Sequence, residues 1–244
     1  MDLKIKDVAE LLHVSETTVR RWLSDGKIPA YRLNHQYRFS RIEIENWMMS
    51  CRLDQDKGFA GASEVQIYPQ LDPLHDQQSP KPSGIHQYSL YRAINNGGVL
   101  LDIEGKTKEE VIYATLAQVA PSLGCDLDVV AELFLDRERL MPTSLNNGLA
   151  VPHSRDFILK SSVSDRVVVV FPKTPIEYGA LDGMPVHTLF FLFSSDDKKH
   201  LQLLAKIAHF GSHAPSMQHL LRRPSKEAFL AFVKEWEGQV RAPV

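Results

Sequence analysis

The sequence predicts an α/β fold over residues 88–244, preceded by a small helical section over 1–50 and a flexible linker over 51–87. Three observations carry this. Two apolar runs, Val167–Phe171 and Leu189–Phe193, fall far short of the roughly 18–20 residues of a membrane span and read as strands buried on both faces. Stretches with helical spacing of apolar residues lie on either side of them. Between the two sections, Pro69, Pro73, Pro80 and Pro82 alternate with glutamines and serines, and neither the helical nor the strand period is kept.

From the start, Val8, Leu11 and Leu12 form the inner face of a first helix. His13-Val14-Ser15 is a tight connection, and Ser15 can cap a second helix that buries Val19, Trp22 and Leu23 before Gly26 ends it. Two short helices joined by three residues have helix-turn-helix geometry. Ala30–Phe39 then reads as a hairpin around Leu33-Asn34-His35-Gln36. Ile42, Ile44, Trp47 and Met48 begin a third helix face. The linker cannot bury enough apolar surface to offset its chain entropy; a flexible chain of that length spans roughly 30–35 Å. The alternative for this stretch is an arm, with Val65-Gln66-Ile67-Tyr68 packing on a partner subunit.

Beyond the linker, Thr107 and Glu110 make a capping box for a helix whose face is Val111, Ile112, Thr115, Leu116 and Val119, ended by Pro121 and Gly124. A second helix starts near Asp126, with Val129, Val130, Leu133 and Phe134 on its apolar side. After the two strands, His200–Phe210 reads as a helix. A last one begins near Ser225 and buries Phe229, Phe232, Val233 and Trp236.

Composition excludes some functions. A net charge of -2 rules out a polybasic coat, so any nucleic-acid face is local. Such a face exists: between Thr17 and Arg41 there are six Arg/Lys and one acidic residue, Asp25. These cations suit phosphate neutralisation. In this geometry the first residues of the second helix meet base edges; here they are Glu16, Thr17 and Thr18, with Arg20 and Arg21 behind. Cys51 and Cys125 have neither disulfide nor metal spacing and fit a reducing cytoplasm. Residues 1–7 lack a signal-peptide core. His209 and His213 stand four apart, but Gly211 and Pro215 interrupt the helix and no adjacent glutamate completes a zinc motif. The reading therefore contains no metal and no cofactor.

The chemical candidate is Gly148-Leu149-Ala150-Val151-Pro152-His153, with Arg137 sixteen residues before the histidine and His200 forty-seven after. A residue before proline is biased to extended backbone and proline fixes its own φ, so the His153 ring ends a stiff segment. A neutral imidazole presented to solvent, beside a cation and a second histidine, suits acceptance of a phosphoryl group. Arginine's planar fork matches phosphate oxygens.

Two resemblances sharpen this. Residues 3–49 resemble the winged helix-turn-helix of excisionase and MerR-type proteins, through V-A-E-L-L-H-V-S-E-T-T-V-R-R-W, G-K-I-P-A and R-F-S. That implies a recognition helix at 16–24 and a wing at 30–39, with Arg32, Asn34, His35 and Arg38 reaching the DNA backbone or minor groove. Residues 88–237 resemble the enzyme IIA proteins of the bacterial phosphotransferase system, of the fructose/mannitol/nitrogen-regulatory type. The matching runs are D-R-E-R-L-M-P-T-S-L-N-N-G-L-A-V-P-H, G-G-V-L-L-D-I-E-G-K-T-K-E-E-V and I-E-Y-G-A-L-D-G-M-P-V-H-T-L-F-F-L-F with H-L-Q-L-L-A-K-I-A.

The second resemblance implies a mixed sheet flanked by helices (enzyme IIA type 2) and a phosphohistidine carrier protein as donor. His153 would be the phosphorylated residue, Arg137 the arginine beside it and His200 the second active-site histidine. Two departures stand out. Ser154 replaces the usual Gly, Ala or Cys after the histidine, and Leu145-Asn146-Asn147 replaces a glycine-rich turn. The combination suggests a cytoplasmic DNA-binding regulator, a dimer by analogy with paired half-sites. The alternative is a metabolic phosphocarrier serving a sugar-specific IIB partner.

Overall fold

The computed structural model describes residues 2–12, 14–33, 36–50, 88–154, 159, 165–180 and 182–239. The expected linker and its alternative arm lie outside the described residues. The chain divides into two units, one containing 2–50 and the other 88–239, each described by itself.

In the first unit, β1 (Asp2–Leu3) leads into α1 (Ile5–Leu12), then α2 (Glu16–Ser24), β2 (Tyr31–Leu33), β3 (Gln36–Ser40) and α3 (Arg41–Ser50). Ser15 caps α2 as expected, its Oγ accepting from the Thr18 N–H at 3.1 Å. The hairpin β2–β3 is antiparallel, with Arg32 opposite Tyr37. A strand not expected from the sequence, β1, pairs with the far side of β3. The core comprises Val8, Leu11, Val19, Trp22, Ile28, Phe39, Ile44 and Met48. The Trp22 and Trp47 rings meet at a tilt of 55° with centroids 5.6 Å apart, and Trp47 Nε1 donates to the Lys27 carbonyl at 2.6 Å. Ile42, expected on the inner face of α3, is 40% exposed, because the buried stripe runs through Ile44 and Met48.

The second unit contains α4 (Ser89–Gly97), β4 (Gly98–Ile103), α5 (Lys108–Leu123), α6 (Leu127–Leu140), β5 (Ser144–Leu145), β6 (Leu149–Ala150), β7 (Arg166–Pro172), β8 (Thr188–Phe193), α7 (Asp197–Ser212), α8 (Ala214–Leu221) and α9 (Lys226–Gln239). Its five strands lie in the order β4-β7-β8-β6-β5. Pairs β4/β7 and β6/β8 are parallel, β7/β8 and β5/β6 antiparallel, so the sheet is mixed.

Both faces are covered, which is why the central strands read as unbroken apolar runs. Val168, Val170, Leu189, Phe191 and Phe193 pack with Val111, Ile112, Leu116, Val130 and Phe134 of α5 and α6. On the other face Phe190 meets Phe210 of α7 and Phe229 of α9. There α4 lies so close to β7 that a Cβ on Gly97 would collide with the Val167 carbonyl. No helix among the described residues is long and apolar enough to cross a membrane.

Local departures have physical causes. Pro121 sits inside the last turn of α5 rather than ending it, and Gly124 (φ 65°) closes the helix. Glu110 reaches the Lys106 N–H at 2.7 Å, one residue before the cap. Asp126 is the cap of α6, not its first residue. Val129 is 58% exposed, since the buried stripe passes through Val130, Ala131 and Phe134 instead. Trp236 is buried in the core, as read from its spacing.

Candidate functional site

The site begins with a clamped turn. Between β5 and β6, Asn147 (φ 65°) and Gly148 (φ 70°) both take the left-handed conformation that asparagine and glycine tolerate. The Asn147 N–H donates to Asp182 Oδ2 at 2.8 Å, and His187 Nε2 lies 3.1 Å from the Asn147 carbonyl. The His187 N–H donates to the Gly148 carbonyl at 2.8 Å. With Nε2 donating to a carbonyl, His187 Nδ1 accepts from the Thr188 hydroxyl, 2.8 Å away. Burial pushes the His187 pKa below its usual range, with the Asn147 bond opposing.

From this turn β6 runs beside β8, and the backbone continues in register. The Val151 N–H donates to the Thr143 carbonyl at 2.9 Å, the Leu192 N–H to the Pro152 carbonyl at 3.0 Å, and His153 forms a bridge with Leu192. Its Nδ1 lies 2.7 Å from the Val151 carbonyl. A carbonyl only accepts, so in the neutral ring Nδ1 carries the proton and Nε2 the lone pair. The His200 ring, from the first turns of α7, stands edge-on at 5.0 Å and 61°. His200 Nδ1 is 3.1 Å from Ser194 Oγ.

The two expected histidines are thus brought together. Both rings are buried. His153 pairs with Leu192 of β8, and the His200 ring stands edge-on against its own. Ser154, the departure after the histidine, is buried as well. Arg137 lies in the last turn of α6, buried, and donates from Nη1 to the Met141 carbonyl at 3.0 Å. It thereby holds the segment that delivers Thr143 to Val151.

Sequence reasoning missed Glu138. Its carboxylate is buried and accepts from both the N–H and the hydroxyl of Thr143, with Tyr178 Oη at 3.4 Å. Burial pushes its pKa up. The Thr143 bonds and the nearby Lys108 charge pull it back. The signal was available: Val130, Phe134 and Glu138 follow one another at four-residue steps on the buried stripe. Arg139, by contrast, is a surface charge paired with Asp136 and Glu132.

In the first unit the expected DNA-facing residues divide. Thr17, Arg20, Arg21 and Arg32 are exposed. Thr18 is half-buried and its hydroxyl lies 3.0 Å from Ser15 Oγ, so it also serves the helix cap. Arg20 has Glu16 at 3.8 Å, and the Arg32 guanidinium lies over the Tyr37 ring at 6.0 Å. Arg38 donates along its own strand, to Gln36 at 2.7 Å and to the Tyr37 carbonyl at 3.1 Å. Asn34 and His35 lie outside the described residues.

Fold and site define a protein that carries a helix-turn-helix unit followed in the chain by a mixed α/β unit with a paired-histidine centre. The chain belongs to the family described as phosphoenolpyruvate-dependent sugar phosphotransferase system, EIIA 2, which matches residues 93–236. A helix-turn-helix domain family matches residues 3–52. The chain is similar to the nitrogen regulatory protein of Pseudomonas aeruginosa, 31% identical over 147 residues that cover 59% of this chain and 94% of that protein. It also resembles the mannitol-specific phosphotransferase enzyme IIA component of Enterococcus faecalis, 25% identical over 55% of this chain and 92% of that one. Among solved structures, nitrogen regulatory protein IIA-Ntr from Neisseria meningitidis superimposes with a TM-score of 0.51 at 26% identity, covering 55% of this chain and 92% of its own.

Proposed function

We propose that the chain is a cytoplasmic DNA-binding regulator controlled by phosphorylation of His153 from a phosphohistidine carrier protein. The observation that carries this reading is the union of a helix-turn-helix domain and an EIIA 2 domain in one chain. In the transfer, His153 Nε2 attacks the carrier's phosphorus in line. The carrier's P–N bond breaks as the new one forms, and the bonding pair returns to the carrier's imidazole. The proton stays on Nδ1, donated to the Val151 carbonyl, which steadies the imidazolium. Protons balance when the carrier's phosphorylated ring keeps its second N–H and leaves as neutral imidazole. Arg137 and His200 stabilise the transferred charge by positioning, since such transfers need little covalent chemistry from the protein. Acceptance requires Nε2 to face the docking carrier.

The phosphoryl group adds roughly -1.5 to -2 charge, by analogy with other phosphorylations. The first unit contributes the recognition helix and wing, through Thr17, Thr18, Arg20, Arg21, Arg32, Asn34, His35 and Arg38. Incubation with the carrier and labelled phosphoenolpyruvate tests the acceptor: label on the wild type and none on His153→Ala is expected, and equal labelling of both defeats the assignment. Control of DNA binding is tested separately, by comparing operator affinity of phosphorylated and unphosphorylated protein at several salt concentrations. The likeness to a mannitol-specific IIA component supports a second reading, a phosphocarrier that passes phosphate to a IIB partner. Fast onward transfer to such a partner, with DNA affinity unmoved, would select it.

A further inference from the structure

We infer that Ser194 is a positioning residue that holds His200 as an Nε2–H donor, the complement of the Nε2 lone pair on His153. The inference rests on His153 being the phosphoryl acceptor.

Ser194 follows the last residue of β8 and precedes Asp196, the cap of α7. It is 5% exposed. A hydroxyl so buried needs an acceptor for its proton. Among the described residues, the acceptor that Ser194 Oγ meets is His200 Nδ1, at 3.1 Å. A neutral imidazole has one N–H, and Nδ1 accepting from a hydroxyl puts that proton on Nε2. His200 is itself fixed by the first turn of α7, its N–H donating to the Asp196 carbonyl at 3.0 Å.

The two rings therefore take opposite tautomers for two different reasons. At His153 a backbone carbonyl faces Nδ1 and demands its proton. At His200 a hydroxyl faces Nδ1 and supplies one. With the rings 5.0 Å apart, edge to face, one presents a lone pair and the other a proton. A phosphoryl group on His153 Nε2 brings three strong acceptor oxygens. An N–H from His200 stabilises them. The reversed tautomer would turn a lone pair toward the same charge.

The test uses the full chain with 15N-labelled histidine. Long-range 15N–1H spectra assign the His200 tautomer in wild type, Ser194→Ala and Ser194→Thr. The Nε2–H form is expected in wild type and in Ser194→Thr, with a mixture or the Nδ1–H form in Ser194→Ala. The rate of label transfer from the phosphorylated carrier should fall roughly 10-fold in Ser194→Ala, by analogy with the low end of the loss when a residue orienting a metal-ligating histidine is removed. It should recover in Ser194→Thr, with KM for the carrier unchanged. An Nδ1–H wild type, or a tautomer indifferent to Ser194→Ala, overturns the inference. So does a changed tautomer with an unchanged rate. No label on the wild type defeats the acceptor reading and the catalytic half of the inference with it. The tautomer comparison still decides whether Ser194 sets the ring.

Discussion

Replacing Gly148 with alanine should weaken the second unit far more than replacing Gly183, although the two backbones are nearly the same. Gly148 has φ 70° and Gly183 φ 69°. A non-glycine residue in this region costs about 1–2 kcal/mol, offset by about 0.4–1 kcal/mol because alanine restricts the unfolded chain. That leaves about 1 kcal/mol at either site. The surroundings differ. A Cβ at Gly183 meets nothing within 4 Å, whereas one at Gly148 would lie 2.6 Å from His187 Cδ2 and 2.9 Å from the Pro185 carbonyl. One of those atoms is backbone, and the ring is pinned at both nitrogens by Asn147 and Thr188, so neither yields easily. Overpacking of this kind adds about 1–3 kcal/mol. Gly148→Ala should therefore cost about 2–4 kcal/mol. Urea-dependent hydrogen exchange of peptides from β7 and β8 measures this unit separately. Equal losses in the two variants would refute the argument that His187 and Pro185 wall the turn.

Three further outcomes follow from other contacts. The folded pKa of His187 lies below its unfolded value because of burial, so the unfolded chain binds the proton first. Its contribution is intact above about pH 6.5 and declines as pH falls below it; His187→Gln should flatten the stability profile between pH 7.5 and 5.5 in urea titrations. Glu237 accepts from the Leu90 and Tyr91 N–H groups at the start of α4 and pairs with Lys206; Glu237→Ala should cost about 2–4 kcal/mol, read by the same exchange experiment, with α4 the first element to lose protection. If Arg20, Arg21 and Arg32 meet DNA phosphates, each alanine variant should reduce the slope of log K against log salt by about 0.9, whereas an unchanged slope removes that residue from the interface.

The sequence disclosed the parts of the fold where one physical signal dominates. Val167–Val170 and Leu189–Phe193 were readable as strands because helices cover both faces and leave no polar alternation. Two short helices were not readable. In α4, only Leu90, Ala93 and Ile94 are buried, and two asparagines and a glycine follow. The eight-residue α8 has a proline as its second residue and buries just Ser216 and Leu220. Neither offers enough periodic positions to stand out. Val129 and Ile42 failed for the opposite reason, since apolar residues flank the buried stripe and spacing alone does not place its edge. At the site, resemblance pointed to His153 and His200, which the fold brings side by side, and the four-residue step from Phe134 would have found the buried Glu138. No pattern marks Ser194, because its role depends on a strand end and a helix start meeting in space.

That difference has a mechanical consequence. His153 takes its tautomer from the carbonyl of Val151, two residues away on the same stiff segment, and no side-chain substitution removes a backbone carbonyl. Its lone pair survives as long as the segment from the Gly148 turn to Pro152 keeps its register against β8. The His200 proton instead depends on one hydroxyl from another element. Under the proposed function, the acceptor nitrogen would be protected by backbone pairing, while the ring proposed to steady the transferred charge would be open to adjustment by a single side chain. Substitutions that disturb the turn should lower stability and transfer together. Those at Ser194 should change transfer while leaving exchange protection of β7 and β8 as it was.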